Sequence, residues 1–271
     1  AFYIAKGLKM PWLAVAFSLC LILAFGLVFN AVQANSIAEA IEGAFGVPKI
    51  AVGVGIAVLA GIVIFGGIRK IARVAELVIP IMAGLYLLMA LVILAMNLAE
   101  GPAAVALIFK SAFGIEQAFG GVLGAMLNGI KRGLFSNEAG MGSAPNIAAV
   151  AVPQPHHPSS QGFVQALGVF IDTLLICTAT AVVILLSGVY TPESELTGIV
   201  LTQAAVESQI GTFGRYFIAI AIFFFAFTSI IGNYSYAENA LAYLGLDGRT
   251  GVTVLRCGVL AMVLWGAWEA V

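Results

Sequence analysis

Several polar residues lie close together between residues 129 and 146, inside a stretch that is otherwise apolar. Lys131, Arg132, Asn137 and Glu138 fall within one run of eight residues. On membrane-insertion scales, an ionisable side chain near the centre of a bilayer costs about 2.5–3.5 kcal/mol unless it is paired or hydrated. Because the polar groups stand so close together, the sequence predicts a water-accessible cavity that is lined by protein.

Glycines interrupt the same stretch at positions 129, 133, 140 and 142, and Pro145 follows them. These residues disfavour one continuous helix, so we predict two half-helices that meet near the middle of the membrane. The carboxyl end of the first would present carbonyl groups to an ammonium or a cation, and the amino end of the second would present N–H groups to a carboxylate. A small zwitterion matches both ends. A helix kinked only for close packing is the alternative, and it leaves the polar side chains unexplained.

The elements that must hold this stretch are membrane helices. Of the 271 residues, 62% are hydrophobic and only 9% are charged, whereas a soluble domain carries roughly a quarter charged residues. Backbone groups in lipid require a helix or a closed barrel, and apolar runs of this length without alternation favour helices. The fold class is therefore an all-α polytopic membrane protein. The net charge of −1 disfavours nucleic acid as a partner.

Seven segments, one of them interrupted, are long and apolar enough to span a bilayer. They cover approximately residues 10–35, 48–67, 71–97, 120–152, 162–188, 212–243 and 252–271. Two connections, 102–113 and 196–210, are apolar enough to form short external helices, and the second is either a lid or an interfacial helix without a gating role.

Loop charges predict how these segments are oriented. Basic residues predominate on one side, which is cytoplasmic by the positive-inside rule: Lys6, Lys9, Arg69, Lys70, Arg73, Arg249 and Arg256. Acidic residues predominate on the other side: Glu39, Glu42, Glu100, Glu116, Glu193, Glu195 and Glu207. With this orientation the interrupted segment enters the membrane from outside.

The stretch from Lys131 to Pro145, KRGLFSNEAGMGSAP, closely resembles the signature of the alanine/glycine:cation symporter family. The opening residues AFYIAKGL resemble another part of that family, and the similarity runs along essentially the whole chain. The resemblance implies a leucine-transporter-like bundle of two inverted five-helix repeats. Residues 10–97 would be the last three helices of the first repeat, and residues 120–271 the first four of the second.

The resemblance also implies what this chain lacks and what it does. We expect residues 1–271 to form one transmembrane domain that is incomplete at both ends, without the N-terminal helices that carry the other broken helix. The implied function is symport of a small amino acid such as alanine or glycine with sodium or a proton, in the plasma membrane of a bacterium or archaeon. No cofactor is expected besides a sodium ion.

Other classes of function fit less well. Another amino acid carrier of the leucine-transporter fold is the main alternative. A channel would need polar groups along a continuous pore, whereas here they concentrate at one break. An enzyme is not expected, because the sequence GMGSA around Ser143 is not a G-x-S-x-G elbow. The cysteines, Cys20, Cys177 and Cys257, are too far apart for a metal-binding motif.

Substrate contacts are expected from the interrupted segment and from the first segment. Those in the interrupted segment are Gly133, Phe135, Ser136 and Asn137, with Phe135 as the aromatic wall of a small pocket. In the first segment, helical spacing places Phe29 and Gln33 on one face, with Asn30 close by. For these three residues, hydrogen bonding between helices or the lining of an outer vestibule stays equally open.

The resemblance points to Thr228 and Ser229 as the cation ligands, because such a pair of hydroxyls supplies oxygens to the cation in sodium-coupled members of this architecture. The alternative is that both hydroxyls bond to carbonyls of the preceding helical turn.

Five charged residues within the spans are expected to act as ion pairs or gates. We expect Glu138 to pair with Arg132 or Lys131, and Asp172 to pair with one of the same two cations. Glu238 is placed at the cytoplasmic mouth.

Overall fold

The computed structural model describes residues 1–113, 119–138, 140–149, 151–191 and 196–269, without the side chains of 68–70, 72, 112, 113, 119–122 and 125. Three of the loop acids used to orient the segments, Glu116, Glu193 and Glu195, lie outside the described residues. All regular structure in the described part is helical.

In the described residues, the first half of the chain forms six helices: α1 (Phe2–Gly7), α2 (Pro11–Leu21), α3 (Phe29–Phe45), α4 (Lys49–Ile64), α5 (Ile68–Met96) and α6 (Gly101–Phe113). The second half forms seven: α7 (Phe119–Asn137), α8 (Ala144–Ala148), α9 (Pro158–Phe170), α10 (Thr178–Ser187), α11 (Gly198–Ile210), α12 (Thr212–Tyr243) and α13 (Arg249–Trp268). The two connections predicted to be short helices are indeed helical, as α6 and α11.

Two of the long helices contain a π-helical stretch of seven residues. Ile22–Val28 joins α2 to α3, and Ile171–Cys177 joins α9 to α10. Such widened turns are rare and are frequently found at functional sites. Neither of them was predicted from the sequence.

Five helices of the described part are long and apolar enough to cross a membrane: Pro11–Phe45, Arg73–Met96, Pro158–Ser187, Thr212–Tyr243 and Arg249–Trp268. Seven spans were predicted, so the count is not confirmed. The predicted second span is the 16-residue helix α4, which is about 24 Å long and is bounded by Pro48 and by Gly66 and Gly67. The predicted fourth span is divided between α7 and α8.

The chain forms two compact units. Unit 1 comprises Ala1–Met82, Thr197–Gln203 and Thr212–Val271, and unit 2 comprises Ala83–Leu196 and Ala204–Gly211. In unit 1, α3 packs against α4, α12 and α13. In unit 2, α6 packs on α10, α7 packs on the π-helical stretch Ile171–Cys177, and α8 packs on α9.

Small residues allow α13 to approach α3 and α4 closely in unit 1. A Cβ added to Gly266 would meet the backbone of Ala31, and a Cβ added to Gly53 would lie 2.7 Å from the Cβ of Ala267. Membrane helices commonly pack through such small residues, because dispersion replaces the hydrophobic effect there. These glycines therefore hold unit 1 together.

Replacing Gly266 with alanine should destabilise the protein, because the new methyl group would overlap the Ala31 backbone, which cannot move aside as a flexible side chain could. Overpacking typically costs about 1–3 kcal/mol. The thermal midpoint in detergent measures this loss. Gly55→Ala is the matched control, because nothing lies within 4 Å of a Cβ at Gly55; equal midpoints for the two variants would contradict the packing described here.

Candidate functional site

The break in the predicted fourth span lies between Asn137, where α7 ends, and Ala144, where α8 begins. Glu138 has a φ of 55°, and Gly140 and Gly142 have φ of 84° and 78°. Positive φ is easily adopted only by glycine, so the glycines explain how the chain leaves the helix here. The predicted interruption is confirmed.

Side chains within the break stabilise its loop. The buried Ser143 hydroxyl donates a hydrogen bond to Glu138 Oε2 at 2.5 Å. The Asn146 amide donates to the carbonyls of Gly142 and Ser143, at 3.2 and 3.1 Å. The predicted partner of Glu138 was Arg132 or Lys131, whereas the bond found is to Ser143, five residues further along the same loop.

The second half-helix is much shorter than predicted. α8 has only five residues, although the predicted segment continues to residue 152. Pro153 and Pro155 follow it, and proline restricts the residue before it to extended conformations. The predicted carboxylate site at the amino end of a long second half-helix is therefore not supported.

The end of α7 is hydrogen-bonded to the π-helical stretch Ile171–Cys177. The Ser136 hydroxyl donates to Asp172 Oδ2 at 2.7 Å, and its oxygen lies 3.3 Å from Cys177 Sγ. The Asn137 amide donates to Thr173 Oγ1 at 2.9 Å. Two consecutive residues of α7 thus pair with two consecutive residues of the widened turn, and the last turn of α7 is held in place.

A cleft of about 390 Å³ lies beside these contacts in unit 2. Its polar lining comes from Ser136, Asn137, Gln165 and Asp172, and its apolar lining from Ala144, Ala166, Gly168 and Val169. Gln165 and Thr173 were not identified from the sequence. Their only signal is a polar side chain in an apolar helix, which many structural residues share.

Phe135 and Gly133, two predicted substrate contacts, do not line this cleft. The side chain of Phe135 is 40% exposed, and a Cβ on Gly133 would meet nothing within 4 Å. The aromatic wall at Phe135 stays a prediction.

Lys131 and Arg132 are exposed and form no ion pair among the described residues. Asp172 is bonded to Ser136 instead of either cation. Ser136, which follows Arg132 by one helical turn on α7, is the residue whose hydroxyl meets the carboxylate. The expected ion pair of Asp172 is therefore absent from this structure.

Asn30 is a fully buried hydrogen-bonding residue of unit 1. Its amide donates to the carbonyls of Phe25 and Gly26, at 2.8 and 3.1 Å, inside the π-helical stretch Ile22–Val28. Its Oδ1 accepts a hydrogen bond of 3.2 Å from the amide of Asn233 on α12. Asn30 therefore forms an interhelical hydrogen bond, and its contact with substrate stays a prediction.

Phe29 and Gln33 follow on the same helix. The Phe29 ring meets Phe25 edge to face at 4.9 Å, which extends the aromatic packing around the π-helical stretch. Gln33 is half-buried, and the described residues provide no hydrogen bond to its side chain. Its contact with substrate stays a prediction.

Thr228 and Ser229 lie on α12, the first buried and the second half-buried. Both hydroxyls donate to the same carbonyl, that of Phe225, at 2.9 and 3.1 Å. This is the bonding to the preceding turn that the sequence left open. It uses only the hydroxyl protons, and the oxygen lone pairs stay available.

A further polar network joins α12 and α13 in unit 1. The buried Tyr234 hydroxyl donates to Glu238 Oε1 at 2.6 Å and accepts from Arg256 Nε at 2.9 Å. Arg256 Nη2 lies 3.7 Å from Glu238 Oε1, and the guanidinium lies over the Phe65 ring at 5.0 Å. Glu238 therefore belongs to an ion pair that joins two helices.

Replacing Tyr234 with phenylalanine should destabilise this network, because Glu238 and Arg256 both lose the hydroxyl that bridges them. Hydrogen bonds to charged groups contribute about 1.5–3 kcal/mol each, so the thermal midpoint in detergent should fall measurably. Tyr190→Phe removes a hydroxyl from an exposed tyrosine and serves as control. A Tyr234→Phe variant as stable as the control would show that the network contributes nothing.

No group of three or more His, Cys, Asp or Glu side chains that could hold a metal ion occurs among the described residues.

Comparison with known proteins reveals the family. The amino-acid sequence matches the model of the sodium:alanine symporter family over residues 1–271. It is 48% identical over 268 residues to the amino-acid carrier protein AlsT of Bacillus subtilis (strain 168), with 98% of this chain and 56% of that protein covered. It is 45% identical over 268 residues to the probable sodium/glutamine symporter GlnT of the same organism, again with 98% of this chain covered, and 55% of GlnT.

A third relative is the putative sodium/proton-dependent alanine carrier protein YrbD of Bacillus subtilis (strain 168), which is 43% identical over 281 residues, 98% of this chain and 58% of YrbD. The chain thus spans a little over half the length of these relatives. Their names describe carriers and symporters, not enzymes, in agreement with the apolar helices of a multi-pass membrane protein. The chain belongs to the sodium:alanine symporter family.

Proposed function

We propose that this chain is the central part of a secondary active symporter that takes up a small neutral amino acid, alanine or glycine. Sodium or a proton is the coupling ion, and the protein resides in the plasma membrane of a bacterium or archaeon. Residues 10–97 are the last helices of one repeat and residues 120–271 the first helices of an inverted second repeat, in a leucine-transporter-like bundle.

The observation that carries this proposal is the break after Asn137. A helix that ends inside an apolar segment leaves its last carbonyls without partners in the helix. In transporters, such interrupted helices hold the substrate and the coupling ion. The cleft of about 390 Å³ beside Ser136, Asn137 and Asp172 provides the polar contacts and the space for a small amino acid.

Thr228 and Ser229 are the proposed ligands of the coupling cation. Because both hydroxyl protons are directed to the Phe225 carbonyl, the lone pairs of both oxygens are available to a positive ion. Hydrogen bonding to the preceding turn and cation binding are therefore compatible at this pair. Carbonyl groups of the first repeat would complete the coordination.

The transport cycle is alternating access. The cation binds first and stabilises the outward-open state, and the amino acid then binds. Closure of the outer side accompanies opening of the inner side, and both ligands are released. Coupling requires that each ligand changes the affinity for the other by the same factor.

The name of one relative suggests glutamine as a second candidate substrate. GlnT, at 45% identity, is a probable sodium/glutamine symporter, and an amino acid with a longer side chain would also enter a cleft lined by Gln165 and Asn137. Glutamine is therefore the second candidate. AlsT and YrbD are described as an amino-acid carrier and an alanine carrier, which keeps alanine first.

Uptake of radiolabelled alanine by vesicles that contain the full-length protein tests the proposal. We expect saturable uptake that requires an inward sodium or proton gradient and that is inhibited by unlabelled glycine. Stronger inhibition by glutamine than by glycine would favour the second substrate. Uptake that does not saturate, or that is the same without either gradient, would contradict symport.

A further inference from the structure

We propose that Asp172 binds the ammonium group of the transported amino acid at the carboxyl end of α7. This inference rests on the proposed function. It goes further by naming the ammonium group as the part of the substrate that the cleft in unit 2 recognises.

The carboxylate of Asp172 has unused capacity to accept hydrogen bonds. An ionised carboxylate offers about four acceptor sites, and among the described residues only the Ser136 hydroxyl donates to it, at 2.7 Å. Neither Lys131 nor Arg132 pairs with it. A carboxylate within a membrane helix costs about 2.5–3.5 kcal/mol at the centre of the span, so a cationic partner from outside the chain would offset that cost.

The π-helical stretch places this carboxylate beside the end of α7. The bond from Asn137 to Thr173 runs next to the bond from Ser136 to Asp172, so the two helices are held in a defined register. The carbonyls of the last turn of α7 carry partial negative charge. Asp172 adds a full negative charge at the same place.

The groups that meet here all favour a positive ligand. Ser136 uses its proton on Asp172, so toward a ligand its oxygen acts as an acceptor. Together with Asp172 and the end of α7, this oxygen suits a donor with positive charge. Such a ligand is either an ammonium group or an inorganic cation.

The surroundings favour the ammonium group. The cleft of about 390 Å³ continues past Asp172 along Gln165 and the apolar Ala166 and Val169, which leaves room for an organic molecule attached to the positive group. An inorganic ion at Asp172 would leave this apolar part of the cleft unused.

Asp172→Asn tests the assignment, because it keeps the size of the side chain and an oxygen that can accept from Ser136, whereas it removes the charge and replaces the other acceptor oxygen with an NH2 donor. Loss of a hydrogen bond to a charged group should raise the alanine concentration for half-maximal uptake about 10- to 100-fold. The sodium concentration for half-maximal uptake, measured at saturating alanine, should stay unchanged. Asp172→Glu, which keeps the charge, should recover much of the alanine affinity.

Asp247→Asn is the matched control, since Asp247 is exposed in the turn between α12 and α13. It should not change either half-saturation value.

Alkylation of Cys177 provides a readout that needs no transport. Its sulfur lies 3.3 Å from Ser136 Oγ, so bound alanine should protect it from a maleimide in a Cys20→Ser, Cys257→Ser background. Protection should require at least tenfold more alanine in the Asp172→Asn variant.

The outcomes separate the two proposals. If the unaltered protein neither takes up alanine nor is protected by it, the proposed function fails. If the unaltered protein transports alanine and Asp172→Asn leaves both uptake and protection unchanged, the role of Asp172 is wrong. A rise in the sodium requirement alone would also overturn it, because the carboxylate would then bind an inorganic cation.

Discussion

Replacing Thr228 with valine should raise the sodium concentration needed for half-maximal alanine uptake about 5- to 100-fold. Valine keeps the shape of threonine and removes the oxygen that the proposed cation site uses. The loss of one ligand oxygen is comparable to that of a hydrogen bond to a charged group, about 1–3 kcal/mol. Ser229→Ala should act in the same direction, because its hydroxyl shares the Phe225 carbonyl with Thr228.

Thr253→Val is the matched control for this series. Thr253 is exposed, and its hydroxyl donates to the carbonyl of Arg249 in the preceding turn at 2.7 Å, as Thr228 does to Phe225. The control removes a hydrogen bond of the same kind away from the proposed cation site, so it should leave the sodium dependence intact. An equally small effect at Thr228 would mean that its hydroxyl only satisfies the helix backbone.

Replacing Asn30 with leucine should destabilise unit 1 more than Gly266→Ala or Tyr234→Phe does. The variant loses two hydrogen bonds to the carbonyls of Phe25 and Gly26, and it leaves the buried amide of Asn233 without its acceptor. Each buried polar group left unsatisfied costs about 1–3 kcal/mol. The thermal midpoint in detergent should fall accordingly, and the yield of folded protein with it.

A double-mutant cycle with Asn233→Leu separates the two parts of this effect. Interhelical hydrogen bonds in membrane proteins contribute about 0.6 kcal/mol on average. In the double variant, the destabilisation caused by the unsatisfied Asn233 amide should therefore disappear. The destabilisation caused by the lost hydrogen bonds to the carbonyls of Phe25 and Gly26 should remain. If Asn30→Leu alone is as stable as the unaltered protein, Asn30 does not hold α3 to α12.

The interruption of the fourth predicted span could be predicted because its cause is local. Gly140 and Gly142 adopt positive φ, as their side-chain-free backbones allow. The second half-helix is shorter than predicted, and Pro153 and Pro155 stand just beyond it. Both prolines disfavour helix at the residues before them, and α8 ends at Ala148.

Pairing between side chains on different helices was harder to predict. By charge, Lys131 and Arg132 are suitable partners for Asp172, but which residue meets Asp172 depends on the register between α7 and the widened turn. That register is a property of tertiary packing, and Ser136 is the residue that it brings to the carboxylate. The charges of the side chains alone do not predict this register.

The two π-helical stretches had no signal in the sequence. Ile22–Val28 reads ILAFGLV, an apolar run without proline, which any membrane helix could contain. Its widened turn is accompanied in the structure by the bonds of Asn30 to Phe25 and Gly26. Asn30 itself was identified from the sequence, although its spacing from Phe29 and Gln33 pointed equally to substrate and to helix packing.

Symport, as proposed for this protein, requires that a cation and an amino acid bind at coupled sites. The most direct test is the dissociation constant of alanine for the purified full-length protein at low and at high sodium, with potassium replacing sodium. We predict that sodium tightens alanine binding, by about 5- to 150-fold for a coupling of 1–3 kcal/mol, and that Thr228→Val reduces this factor. The same alanine dissociation constant at both sodium concentrations would contradict sodium symport.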